Sequence, residues 1–275
     1  MENIGIQLYS YPSSMAFEEK LAHAAASGYA GVEFAGDYGG LAAPEMKAML
    51  KKYGLWAKTA HVHIDRIGPE LPYLAEIGVK HIIFPYKFFR SMEAVHYVTS
   101  RLNELGKISA AYGVKVGFHN HMDEFYPMEG RRILDYLMAE TDPETVSFQL
   151  DCGWATCAGA CAPDVIREYA GRFSAIHIKE NTGVAPLCAP HAKDAPYVAL
   201  DGHVLSDEET AERERIVRAA NCKMGEGNVN WRAVVDAVRA QCDEPTFIVE
   251  RENAYGNLSK PECVAEDVAW LKANL

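Results

Sequence analysis

A single-domain α/β barrel, the TIM (β/α)8 fold, is the architecture that the 275-residue sequence predicts, and three observations carry the prediction. Short apolar runs rich in Val, Ile and Phe alternate eight times with longer amphipathic stretches, the pattern of parallel strands buried on both faces and crossed over by helices. Gly28, Gly54, Gly78 and Gly113 each follow a helical stretch and precede a strand, where a residue comfortable at positive φ ends a helix. The length suits one barrel of about 250 residues better than two ordinary domains, so residues 1–275 read as one unit. An open doubly wound sheet would place a glycine-rich phosphate turn after the first strand, and LYSYPSS has none.

In chain order the strands read as Ile4–Tyr9, Gly31–Phe34, Trp56–His61, His81–Phe84, Lys115–His121, Val146–Asp151, Ala175–Lys179 and Phe247–Arg251. The helices between them run from Ala16–Ser27 to Pro261–Ala273. After the seventh strand the economy breaks: about fifty residues separate Lys179 from Trp231, where barrel connections usually take about 2 to 6. Residues 182–222 therefore read as an inserted excursion, with a helix over Asp207–Ala220. A solvated cover and a substrate lid are the two readings of it, since it leaves from the end of the barrel where active sites sit.

Composition narrows the partners. A formal net charge of −11 with no Lys/Arg run disfavours nucleic acid and anionic membranes. A small neutral or metal-bound substrate fits better, and assembly into a homo-oligomer stays open. No run of about 18 apolar residues marks a membrane span. The N-terminal MENIGIQLYSYP reads as a first strand and not as a secretion signal. Seven cysteines without framework spacing read as reduced thiols of a cytoplasmic protein, and Cys152, Cys157 and Cys161 are spaced too loosely for a zinc knuckle.

Polar residues at the carboxyl ends of barrel strands point into one bowl, and burying them unpaired is costly. Four strand ends carry such residues: His119 and His121 in VGFHNH, Asp151 in SFQLDCGW, His177 in AIHIKE and Glu250 in FIVERE. Each taken singly reads as a hydrogen-bonded structural residue. Four consecutive strands ending this way read as one mixed oxygen and nitrogen set for a divalent metal ion, Mn, Mg, Co or Zn. Around the rim, Glu33 and His61 are candidates to hold substrate hydroxyls, and Tyr9, Phe34 and Trp154 offer flat surface to a substrate's carbon face. Each of these reads equally well as plain packing. Lys179 lies on the same strand face as His177; it reads either as a donor to a substrate oxygen or as an apolar stem reaching solvent.

The runs IGIQLYSYP, GYAGVEFAGDYGG, VGFHNHMDEF, LDCGWATCAG, YAGRFSAIHIKE, GEGNVNW and FIVERE, in this order, resemble the sugar phosphate isomerase/epimerase family of xylose isomerase-like barrels. The resemblance implies a metal held by Glu, Asp, His and Glu from strands five to eight. Asp151, His177 and Glu250 match that pattern directly, whereas His119 stands where the first Glu is usual, with Glu124 nearby as an alternative. It further implies proton transfer through a metal-stabilised enediolate, with Glu250 as base. A second base then falls to His121, Glu124 or Glu226, because a neutral metal-bound His119 cannot also take a proton. In GEGNVNW, Gly225 and Gly227 allow a tight turn whose backbone donors, with Glu226, can face substrate, and Asn230 caps the helix starting at Trp231.

The leading expectation is a sugar or keto-sugar isomerase or epimerase. A dehydratase or other lyase acting on a keto-sugar or keto-inositol by the same enediolate is the alternative. A non-catalytic sugar-binding barrel or partner-dependent subunit ranks below both. A metal-dependent endonuclease is disfavoured by the charge.

Overall fold

The computed structural model describes residues 3–189, 195–219, 221–242 and 244–275, and the chain closes into the expected barrel. Its strands are β1 (Ile4–Gln7), β2 (Gly31–Ala35), β3 (Trp56–His61), β4 (His81–Phe84), β5 (Lys115–His119), β6 (Val146–Asp151), β7 (Phe173–Ile178) and β8 (Thr246–Val249). All pairings are parallel, and Ile4 set against Phe247 joins the first strand to the last. Side chains such as Ile6, Val32, Ile82, Val116, Leu150 and Ile248 are fully buried, because strands covered by helices outside and filled inside have no solvent face.

The helices are α1 (Phe17–Ser27), α2 (Ala43–Tyr53), α3 (Ile67–Ile77), α4 (Met92–Ala110), α5 (Ile133–Ala139), α6 (Cys152–Cys157), α7 (Ala162–Glu168), α8 (Asp207–Ala219), α9 (Trp231–Arg239) and α10 (Lys260–Asn274). Gly28, Gly54, Gly78 and Gly113 all sit at positive φ behind α1 to α4. Asn230 caps α9 by accepting the Ala233 N–H at 3.1 Å, as expected. Gly117 in β5 is required by a close approach: a Cβ there would stand 1.8 Å from the Ser147 carbonyl oxygen of β6. That approach keeps the strands carrying His119 and Asp151 in register.

Three strands end two residues short of expectation, each because a side chain captures the next backbone group. β1 stops at Gln7, whose side chain accepts the Tyr9 N–H and opens a 3-10 turn over Leu8–Ser10. β5 stops at His119; Asn120 Oδ1 reaches across to the Asp151 N–H at 2.9 Å, and Glu124 Oε2 takes the His121 N–H at 2.7 Å. β8 stops at Val249, beyond which Ser10 Oγ accepts the Arg251 N–H at 2.9 Å.

Between β7 and α9 the chain makes antiparallel bridges, Cys188 with Ala199 and Val198 with Val204, before α8. Residues 190–194 and 220 of the expected 182–222 excursion lie outside the described residues. No described helix is long and apolar enough to cross a membrane. None of the seven cysteines is disulfide-bonded.

Candidate metal centre and its cavity

Strand register brings the candidate ligands together. His119 sits opposite Gln149, and Asp151 opposite His177 on the next strand. Glu250 follows β8 directly, its N–H still bonded to the Ile178 carbonyl at 3.1 Å. His119, Asp151, His177 and Glu250, all buried, each offer one ligand atom, and these atoms lie within 4.8 Å of one another. Asp151 Oδ1 is spent capping α6 through the Trp154 N–H at 2.7 Å, which turns Oδ2 toward the other three.

The proton positions in this cluster follow from one carboxylate. Glu33 Oε1 accepts from Gln7 Nε2 at 2.8 Å and from His177 Nε2 at 2.5 Å, while Oε2 accepts from Gln149 Nε2 at 2.8 Å. Burial alone would raise the Glu33 pKa, but His61 and His177 outweigh it and hold the carboxyl ionised, at about 2. An ionised carboxylate only accepts, so Gln149 must present its amide nitrogen to Glu33 and its oxygen to the histidines. That oxygen lies 2.7 Å from His61 Nε2 and 2.9 Å from His119 Nδ1, so both ring nitrogens donate. Burial and then the neighbouring histidines push the His119 pKa well down, leaving a neutral ring with a lone pair on Nε2. His119 Nε2 is 3.9 Å from Asp151 Oδ2, and His177 Nδ1 is 3.9 Å from that same oxygen.

These donors fit a divalent cation. Asp151 Oδ2 and His177 Nδ1 are buried and make no hydrogen bond; only ion-pair contacts reach them, Lys179 Nζ at 3.3 Å from the oxygen and Glu250 Oε2 at 3.5 Å from the nitrogen, which leaves both free to serve as ligands of a cation. Glu33 on His177 is the carboxylate–histidine pairing that orients an imidazole toward a metal. The set of two carboxylate oxygens and two imidazoles suits Mn, Co or Zn and admits Mg. His61, His119 and His177 also offer atoms within 4.8 Å of one another, but Gln149 already occupies His61 Nε2 and His119 Nδ1.

Lys179 brings a protein cation to the same place. Its Nζ is 3.3 Å from Asp151 Oδ2, 2.8 Å from Glu250 Oε2 and 2.9 Å from Glu252 Oε1, and it lies over the Trp154 ring at 4.6 Å. Its ammonium is therefore turned inward, not snorkelling to solvent as one sequence reading had it. Burial raises the Glu250 pKa, yet Lys179 and His177 overcome this and hold the carboxyl well below the usual range. A cavity of about 390 Å³ opens above, lined among others by Tyr9, His61, Tyr86, His119, His121, Glu250 and Glu252.

Other candidates are placed differently. Glu33 does not line the cavity; it is fully buried beneath the histidines, so it orients ligands instead of holding sugar hydroxyls. Phe34 is also fully buried, packed between Phe17 and Tyr38, because β2 turns it outward to the helices. Trp154 lies behind Lys179 and His121 in a neighbouring chamber. Glu226 is exposed and does not reach the cavity. The backbone donors of its loop face no substrate either: Gly225 and Val229 N–H go to the buried Glu180 carboxylate at 2.9 and 3.3 Å, and Trp231 Nε1 joins them at 2.7 Å. Tyr9 stands exposed at the cavity lip, and His61 and His121 line the cavity. Sequence reasoning missed Gln149, Glu180 and Glu252. A Gln inside the apolar run SFQL was the one available signal for the first.

Glu124 is not among the clustered groups; it closes the turn at His121. Its Oε1 is buried without a partner, and burial lifts its pKa to about 8. In an unfolded chain the group would ionise near its ordinary value of about 4.3. Folding therefore holds a proton between these values: the contribution to stability is full below about pH 4.3 and is lost as pH rises toward 8. Glu124→Gln keeps an acceptor for the His121 N–H and removes the charge. Melting curves across pH should show no gain at pH 4 and a gain that rises toward about 5 kcal/mol at pH 8 and above. A variant melting like the parent at pH 9 would refute this account of Glu124.

Comparison with known proteins gives the family and the fold. A family model described as xylose isomerase-like TIM barrel matches residues 21–274. An inosose dehydratase of Geobacillus thermodenitrificans is 24% identical over 152 residues, covering 55% of this chain and 45% of that protein. The first curated relatives are each matched over less than half of their own length. Among solved structures, a sugar phosphate isomerase/epimerase from Parabacteroides distasonis superposes with TM-score 0.76 at 19% identity, covering 99% of this chain and 98% of that one. An L-ribulose 3-epimerase superposes with TM-score 0.69 at 13% identity, covering 99% and 94%.

Proposed function

The chain belongs to the xylose isomerase-like TIM barrel family, and from that premise we propose that it is a metal-dependent enzyme removing a proton from carbon next to the carbonyl of a keto-sugar or keto-cyclitol, with loss of water as the outcome. The observation that carries this reading is that, of the three carboxylates on the cavity wall, only Glu250 belongs to the ligand cluster: Glu252 is held by the Lys179 ammonium at 2.9 Å, Glu70 by Tyr38 and Arg66, and the expected second bases are placed elsewhere or engaged. Glu124 is bound to the His121 N–H, Glu226 is on the surface, and the free ring nitrogen of His121, Nδ1, is buried. Inverting a carbon centre needs a second base on the opposite face. Dehydration does not.

A divalent ion bound by His119, Asp151, His177 and Glu250 would supply positive charge beside a carbonyl and its neighbouring hydroxyl. The chain's own groups do the rest. Lys179 keeps Glu250 ionised and ready to accept a proton, and Glu252 holds the other side of the ammonium. His121, a neutral ring, forms part of the cavity wall beside the substrate. Glu250 takes the proton from carbon; the neighbouring C–O bond breaks as the C=C bond forms; the same proton leaves with the hydroxyl as water. The dehydratases among the curated relatives support this reading. Return of the proton to the adjacent carbon on the same face is the second reading, isomerisation, and the same single-base geometry favours it over epimerisation.

Incubation of Mn-loaded protein with keto-sugars and a keto-inositol in deuterated water, followed by NMR, separates the outcomes. Loss of water with a new unsaturated or diketone product is expected. Recovered sugar carrying solvent deuterium with no loss of water would overturn dehydration in favour of isomerisation.

A further inference from the structure

Beside the metal cavity lies a second chamber of about 290 Å³, and Tyr86 and His121 line both. Its far wall comes from the excursion after β7: Cys188, Tyr197, Arg213 and Val217. Arg213 is 6% exposed, yet no carboxylate pairs with it among the described residues. Its Nε donates to the Pro186 carbonyl at 3.1 Å, Nη2 meets the Met122 sulfur at 3.5 Å, and the guanidinium plane lies 4.3 Å from the Tyr197 ring centroid. A carbonyl, a thioether and a ring face do not neutralise a buried cation, and a guanidinium is built to grip two acceptor oxygens at once. Asp123, the other charged residue on the wall, already has a partner. The remaining walls are the flat rings of Tyr86, Phe88 and Trp154.

We propose that this chamber is an oxyanion subsite, in which Arg213 receives a carboxylate or phosphoryl group of the substrate whose keto-hydroxy end lies at the His119, Asp151, His177 and Glu250 cluster. The aromatic walls cover the carbon skeleton between the two ends. The assignment of the reacting end rests on the function proposed above; the anion site itself does not. It also gives the excursion a role: the long connection carries Arg213 and Tyr197 to the barrel mouth, so it forms part of the site. In a chain of net charge −11, a dedicated cation at the mouth is what an anionic substrate would require.

The test is calorimetry on the full-length protein stripped of metal by a chelator, titrated with inorganic phosphate and with benzoate, and with benzyl alcohol as the uncharged control. Millimolar binding of at least one anion but not of the alcohol is expected, with phosphate alone pointing to a phosphoryl group and benzoate alone to a carboxylate. Arg213→Met should weaken that binding tenfold or more, and Asp151→Asn should leave it unchanged. No binding of either anion, or equal binding by Arg213→Met, overturns the proposal. Should Arg213→Met not fold, Arg213→Gln takes its place with the same tenfold loss expected, and equal anion binding by that variant overturns the proposal. Failure of turnover with anion binding intact would sink the reading of the cluster and leave the subsite standing.

Discussion

Glu250→Gln is expected to lower turnover by about 10²–10⁴-fold while the protein stays folded. The substitution keeps the side chain's volume and one oxygen for the ion, but an amide cannot accept a proton from carbon. Lys179 would retain Asp151 at 3.3 Å and Glu252 at 2.9 Å, so its charge would not be stranded. Metal affinity should fall by much less than turnover, since three ligands remain. The measurement is the rate at which the substrate loses its carbon-bound proton, read beside metal affinity and melting temperature for the same preparation. Proton loss at the parent rate in a metal-loaded variant would remove Glu250 from the role of base. A loss of activity matched by an equal loss of metal would make it a ligand only.

The ends of strands five to eight were legible because a histidine or carboxylate inside an apolar run has few places to go. The same logic misplaced Glu33. It too ends an apolar run, but the pairing of Gln7 with Glu33 sets its carboxylate under the histidines, where three donors consume it. Alternation along a strand tells which residues share a face; it does not tell how deep in the barrel each one stands. The loop GEGNVNW shows a similar limit. Its two glycines announced a turn with free backbone donors, but the acceptor, Glu180, comes from a strand end 45 residues away from Gly225 and has no local signature. The role of Arg213 was hidden for a third reason. On α8 it reads as one charge among many, and only the packing of the excursion against Met122 and Tyr197 buries it.

The placement of Glu33 leads to the second large effect, that of Glu33→Gln, a change of one atom in a residue that touches no substrate. Both carboxylate oxygens accept, Oε1 from Gln7 and His177 and Oε2 from Gln149. An amide nitrogen at either position faces a donor, so one neighbour must turn over. If Gln149 turns, its NH2 faces His61 Nε2 and His119 Nδ1, the His119 proton moves to Nε2, and the lone pair that faces Asp151 is lost. If the amide nitrogen faces His177 instead, that ring loses the acceptor which orients it. Either way a metal ligand is compromised, and metal affinity should drop about 10- to 100-fold. Breaking the buried charge network should also cost about 3–5 kcal/mol of stability, because the variant strands histidines in a closed interior. Metal titration and thermal melting of the variant read the two effects separately. Parent-like metal affinity in a folded Glu33→Gln protein would mean that the tautomers of His119 and His177 are not set through this carboxylate. Restoration of metal binding by Gln149→Glu in the Glu33→Gln background would show that what the cluster needs is one acceptor-only group between Gln7 and the three histidines, whichever strand supplies it.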